Sequence, residues 1–254
     1  MDSTAEPSAH RTAEPAGWER LAPGVVRRRL PGWDETIGAV AGEHGVLVID
    51  TGATLADGAM IRREVTALFG RRPTHVVLTH PHFDHVLGTA AFAGCEVYAA
   101  VGMADLLRRE RDDLREDAQR HGVPGDTAAE ATDLLVIPHH EVSGELVVDL
   151  GGRRVLLANV GPGHTGHDLA VLVPGTPEVV FCGDLVEESG EPQAGPDAIP
   201  ARWPAALDRL LALGGEDARY VPGHGAVVDA AFVRAQRDEL AGTPGGGPPA
   251  AGDR

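Results

Sequence analysis

The stretch THPHFDHVLG, residues 79–88, sets four metal-capable side chains, His80, His82, Asp84 and His85, within six positions. It follows the apolar run HVVL and precedes small and apolar residues, so it reads as the junction of a buried strand and a short helix. Pro81 disfavours the helical region for the residue before it, which keeps His80 extended. In an extended segment side chains two apart share a face, so His80 and His82 can grip one ion together. Asp84 and His85 follow where the chain turns into a helix and can reach a second point nearby. Imidazole and carboxylate suit zinc, manganese or iron. Such a junction needs further donors from elsewhere in the chain.

Three later segments supply candidates. GPGHTGHD puts His164 in a Gly-rich turn straight after a strand. FCGD puts Asp184 at the expected end of an apolar strand, with Gly183 allowing close backbone approach, and VPGHG puts His224 between two glycines. Each alone is an ordinary polar loop residue; the four segments together point to a metal site. Asp50 ends another apolar run, and His167 and Asp168 lie just past His164; all three are candidates to orient ligand histidines. His10, His44, His75, His121, His139 and His140 are not expected as ligands, and the RRRL run at 27–30 reads as a solvated face.

Two segments have no packing rationale and are expected to overhang the site. One is the turn PGWDE, 31–35, with Trp33 at its tip; the other is the loop 185–203, rich in Gly and Pro. The loop carries Glu187, Glu188 and Glu191, so Trp33, Glu187 and Glu188 are the candidate substrate contacts. Acids there favour a neutral or cationic small molecule.

Strands are expected at 24–30, twice within 36–50, at 74–80, 95–100, twice within 145–160, at 168–174, 178–184 and 219–225. Helices are expected at 56–70, 85–92, 102–122, 203–214 and 229–241, with 123–144 a loop. Two clusters of strands, each mixed with helices, suggest two sheets sandwiched together with helices outside, an α/β architecture. A single body over 18–241 accommodates this, with disordered tails at 1–17 and 242–254. The formal charge of −16, with 38 acids against 22 bases, argues against a nucleic-acid partner. Cys95 and Cys182 sit in apolar runs and are expected as buried free thiols. No segment reads as a membrane span or a secretory signal, so a cytoplasmic protein with no membrane partner is expected.

HPHFDH at 80–85, followed in order by His164, Asp184 and His224, resembles the metallo-β-lactamase fold superfamily over nearly the whole body. The resemblance implies a four-layer αββα sandwich of two mixed sheets with a dinuclear metal site at one edge. It implies His80, His82 and His164 on one metal, Asp84, His85 and His224 on the other, and Asp184 bridging. Two zinc ions per chain are the expected cofactor, with iron or manganese as alternatives. The true β-lactamases of the superfamily commonly have a cysteine where Asp184 stands, and Cys182, two positions away, is not taken for it. Antibiotic hydrolysis is therefore not expected, and the thioesterase-like and lactonase-like branches fit better. The implied activity is attack of a metal-held hydroxide on an ester, thioester, lactone or amide carbonyl, with Asp84 and Asp184 as the catalytic carboxylates. One alternative is a persulfide dioxygenase with one iron on His80, His164 and Asp184; another is a non-catalytic metal- or ligand-binding member. With 30 residues after His224, 225–254, the glutathione-binding helical domain of glyoxalase II is not expected.

Overall fold

Apolar runs that alternate between two buried faces build both sheets of the molecule. The computed structural model describes residues 17–242; the expected tails, apart from Gly17 and Gly242, lie outside them. The first sheet holds β1 (Trp18–Ala22), β2 (Val25–Arg29), β3 (Thr36–Ala41), β4 (Val46–Ile49), β5 (His75–Val77), β6 (Glu96–Ala100) and β7 (His140–Val142), in that order. Its first four strands are antiparallel neighbours, and β4 to β7 run parallel. The second sheet has the order β12 (Arg219–His224), β11 (Val179–Glu187), β10 (Leu169–Val173), β9 (Arg154–Asn159), β8 (Glu145–Asp149), with only β11 and β12 parallel.

The side-chain period of two decides the layers. In β4, Leu47 and Ile49 pack between the sheets with Phe181, Val171 and Val221, while Val46 and Val48 face the helices. Those helices are α1 (Leu55–Phe69), α2 (Phe83–Val86), α3 (Met103–Arg109), α4 (Arg111–Arg120) and α5 (Gly125–Asp133). On the far side α6 (Trp203–Gly214) and α7 (Ala230–Gly242) cover Val180, Cys182 and Tyr220 of the second sheet. The result is the four-layer αββα sandwich. Thr54 caps α1 by accepting from the Asp57 N–H, and Gly70 ends the helix in the left-handed region at φ 67°.

Several segments depart from the sequence expectation. The helix expected over 102–122 breaks at Glu110, which turns α4 against α2 and α5. Met103, Leu107, Leu114 and Ala118 keep one continuous apolar spacing, so the pattern carries no signal of that break. The loop expected over 123–144 holds α5, whose buried face is only Ala128, Ala131 and Thr132, and the three-residue edge strand β7. β1 precedes the first expected strand, and β11 runs past Asp184 to Glu187, so the long loop begins at 188. Arg27 is 5% exposed and not part of a solvated face. Among the described residues no helix is long and apolar enough to cross a membrane.

Candidate metal centre

His80 follows the end of β5, and Pro81 leads to His82, extended at φ −79° and ψ 151°, which precedes α2 carrying Asp84 and His85. His164 sits in the turn between β9 and β10, and His224 is the last residue of β12. Asp184 lies inside β11, not at its end. Gly183 takes φ 53° and the register with β12 shifts around it, a bulge. The bulge moves the strand's phase by one: Leu185, rather than Asp184, joins Cys182 on the helix-facing side. Asp184 is released toward the site, and Cys182 stays buried beneath α6 and α7, its thiol pushed up by burial.

His80, His82, His164 and Asp184 bring donor atoms within 4.8 Å of one another, and so do Asp84, His85 and His224. The Asp184 carboxylate spans both groups. Its Oδ2 is 3.6 Å from His80 Nε2, 3.6 Å from His164 Nε2 and 3.2 Å from His224 Nε2, and its Oδ1 is 3.3 Å from His85 Nε2. Asp84 Oδ2 is 3.5 Å from His85 Nε2 and 3.4 Å from His224 Nε2. His80 Nε2, His85 Nε2 and Asp184 Oδ1 are buried with no hydrogen-bond partner. Buried polar atoms without partners are costly, and a cation among them removes that cost. The donor set, imidazole and carboxylate without thiolate, fits zinc, manganese or iron.

The outward nitrogen of each of the five histidines is held by the protein. His85 Nδ1 lies 2.9 Å from Asp50 Oδ2. Asp50 also accepts from the Thr79 N–H and hydroxyl, both at 2.8 Å, and Thr79 Oγ1 is 2.9 Å from His80 Nδ1. Asp50 thus orients two rings, and it does so from the left-handed region at φ 61°, which a non-glycine residue occupies at a cost. His82 Nε2 meets Asp197 at 3.1 Å, His164 Nδ1 the Gln193 carbonyl at 3.0 Å, and His224 Nδ1 the Trp33 carbonyl at 2.7 Å. These contacts leave one inward nitrogen per ring for an ion. The Arg27 guanidinium donates to the Gly225 carbonyl at 2.9 Å, fixing the turn after His224. Gly223 makes room for the bridging group: a Cβ there would lie 1.7 Å from Asp184 Oδ1.

Residues 31–224, most of the chain, match the profile of the metallo-beta-lactamase superfamily. The chain belongs to that superfamily. Relatives include the 2,4-dinitroanisole O-demethylase subunit alpha of a Nocardioides species, 27% identical across 73% of this chain and 51% of that one. The type 2 metallo-beta-lactamase of Bacteroides fragilis is 27% identical across 73% of this chain and 67% of its own length. The chain thus spans between about half and two thirds of these two relatives. The solved metallo-beta-lactamase from Pontibacter korlensis superposes with a TM-score of 0.68 at 20% identity, covering 89% of this chain and 99% of that one. At that identity the likeness is one of fold. It is a family of metallo-hydrolases whose members bind metal ions, and this member carries the His and Asp groups to hold them.

In this superfamily member the side chains of the centre are electrostatically divided. Burial pushes His80 well down and His164 to about 4. Burial acts the same way on His85 and His224, but the facing carboxylates of Asp184 and Asp84 outweigh it, raising them to about 10 and about 12. Burial would raise Asp184, yet His85, His80 and His224 hold it well below the usual carboxylate range.

Some expected site residues lie elsewhere. His167 is tied to the Val101 carbonyl at 2.9 Å and touches no candidate ligand. Asp168 accepts from Thr165 N–H and hydroxyl; it tightens the turn after His164 without reaching the ring. Glu188 accepts from the Ala226 N–H and does not face the cavity, because its position one past β11 turns it outward. Glu187 and Trp33 do line the cavity, of about 700 Å³, that opens over the donors. Trp33 is half-buried, its ring edge-on to Phe83 at 5.4 Å, and is not an exposed flap tip. Asp197, Gln193, Arg27 and Thr79 escaped the sequence reading. Asp197 and Gln193 had a usable signal, a long loop directly after a candidate ligand; Arg27 and Thr79 had none.

Proposed function

We propose that this chain is a metal-dependent hydrolase holding two divalent ions, zinc foremost, that opens an ester, thioester, lactone or amide carbonyl. The observation that carries the reading is Asp184, whose two oxygens face the two donor groups while His80 Nε2, His85 Nε2 and Asp184 Oδ1 are buried without partners. His80, His82 and His164 would hold one ion, Asp84, His85 and His224 the other, with Asp184 shared. Bound there, divalent ions supply Lewis acidity, so that water ionises near neutral pH and a carbonyl is polarised. Asp84 lines the cavity and can accept a hydrogen bond from the attacking water, which orients it. Asp50, Asp197 and the Gln193 and Trp33 carbonyls fix the rings, and Trp33 and Phe83 present apolar surface that limits water at the reacting centre.

A one-iron dioxygenase through His80, His164 and Asp184 would leave Asp84, His85 and His224 gathered without a task, which favours the dinuclear reading. The test is metal analysis of purified protein together with a panel of esters, thioesters, lactones and β-lactams. About two divalent ions per chain and turnover of a carbonyl substrate are expected. One iron per chain with oxygen consumption on a persulfide would overturn the proposal.

A further inference from the structure

The cavity over the metal centre has a wall built by α3 and α4. Besides the donors and the loop after β11, it is lined by Leu106 and Leu107 of α3 and by Leu114 of α4. Glu110, the residue just before α4, and Asp113 and Asp117 within it stand along the same rim, spaced three and four residues apart. Asp84 and Asp184 belong to the metal centre, Asp197 is engaged by His82, and Glu187 accepts from Ser189. Arg120 is the guanidinium of the lining and meets Asp117 at 3.1 Å, and His121 Nδ1 lies 3.4 Å from the same carboxylate, which leaves Glu110 and Asp113 as the less engaged acids of the rim. Asp113 has no ion-pair partner among the described residues, and Glu110 has only Arg109, at 3.7 Å. The rim is not an isolated surface stripe. It borders a cavity of about 700 Å³ lined at its floor by Asp184, 8% exposed, whose Oδ1 is unpaired. That volume suits a drug-sized small molecule.

We infer that the substrate is an amphiphile whose cationic group sits on Glu110 and Asp113 of the rim while its apolar body lies on Leu106, Leu114 and Phe83. This deepens the hydrolase reading and rests on it for the reacting bond. The carboxylates attract an ammonium or guanidinium and repel phosphate, sulfonate or carboxylate tails. Trp33 and Phe83 add aromatic surface, which also favours a cation over an anion. The metal centre pulls toward the carbonyl end, so the two charges of the site would orient the molecule along the cavity.

Nitrophenyl hexanoate esters carrying a terminal trimethylammonium, hydroxyl or sulfonate group test this on zinc-loaded protein. The corresponding ethers, which cannot be hydrolysed, are measured by calorimetry. The cationic ester is expected to exceed the sulfonate in kcat/KM by about tenfold or more at low salt, the sum of several partly screened charges. The ratio should fall toward unity in high salt and in the double variant Glu110→Gln/Asp113→Asn, with the hydroxyl ester as internal reference. The ethers should bind in the same order. Equal or reversed affinity of the cationic and sulfonate ethers would overturn the inference. Preferential binding of the cationic ether without turnover of any ester would sink the proposed hydrolysis and leave the charge selection standing.

Discussion

Asp184 is the residue on which both donor groups depend. Asp184→Ala removes one carboxylate from each proposed ion, leaving His80, His164 and His224 facing one another without it. Loss of contacts outside the ligand set typically costs about 10–100-fold in affinity or activity, so more than about 100-fold loss of turnover is expected, with near-normal circular dichroism. Full activity in a metal-replete variant would refute the shared role. Gly223→Ala tests the same point from the neighbouring strand. The added methyl would sit 1.7 Å from Asp184 Oδ1, so either the carboxylate or β12 must shift. Overpacking of this kind costs about 1–3 kcal/mol, and metal stoichiometry should drop with it. Two ions per chain at unchanged affinity would show that the carboxylate position is not critical.

At the scale of elements, the loop over 188–202 is part of the centre as well as its cover. It supplies the Gln193 carbonyl to His164 and Asp197 to His82, so it orients two rings of one donor group and none of the other. Replacing 190–197 by a short Gly-Ser linker should weaken one ion by about 10–100-fold and spare the second; equal loss at both, read by competitive chelator titration, would count against this division. The turn carrying Trp33 acts differently. Its carbonyl holds His224 while its indole packs on Phe83 and faces the cavity. Trp33→Ala keeps the carbonyl and removes the ring, so KM should rise more than kcat falls, the mark of binding shared by ground and transition states. A kcat loss with constant KM would instead assign Trp33 to the chemistry.

For the whole molecule, the metals should act as a clasp between the two sheets. His80, Asp84 and His85 hang from the first sheet and Asp184 and His224 from the second, so ions bridging them tie the layers together. A ligand at 1,000 times its Kd stabilises the native state by about 4 kcal/mol, which predicts a Tm drop of about 10 °C on chelation. Differential scanning calorimetry with and without a chelator measures it, and an unchanged Tm would argue against bridging. Uptake should also be linked to pH. The Asp184 and Asp84 carboxylates raise His85 and His224 to about 10 and about 12, so ion uptake at neutral pH is expected to displace protons from them. Apparent affinity should therefore rise with pH and fall in acid, with protons released on titration in weak buffer. Uptake independent of pH would contradict the raised values.

The donors were legible in the chain because their signals are local. Proline before histidine, histidines two apart and glycines around a lone His or Asp fix chemistry and backbone shape within a few residues. The layered α/β class followed in the same way from apolar runs long enough to be buried on both faces. What surrounds the donors was not legible, because it depends on contacts across the sequence. Arg27 meets Gly225, Asp197 meets His82 and Glu110 meets the cavity only after the sheets have stacked and α3 has parted from α4. The same tertiary packing corrected Glu188, His167 and the strand-end placement of Asp184. A one-residue bulge at Gly183 decides which way that carboxylate points, and no side-chain pattern records a bulge when both faces of a strand are apolar.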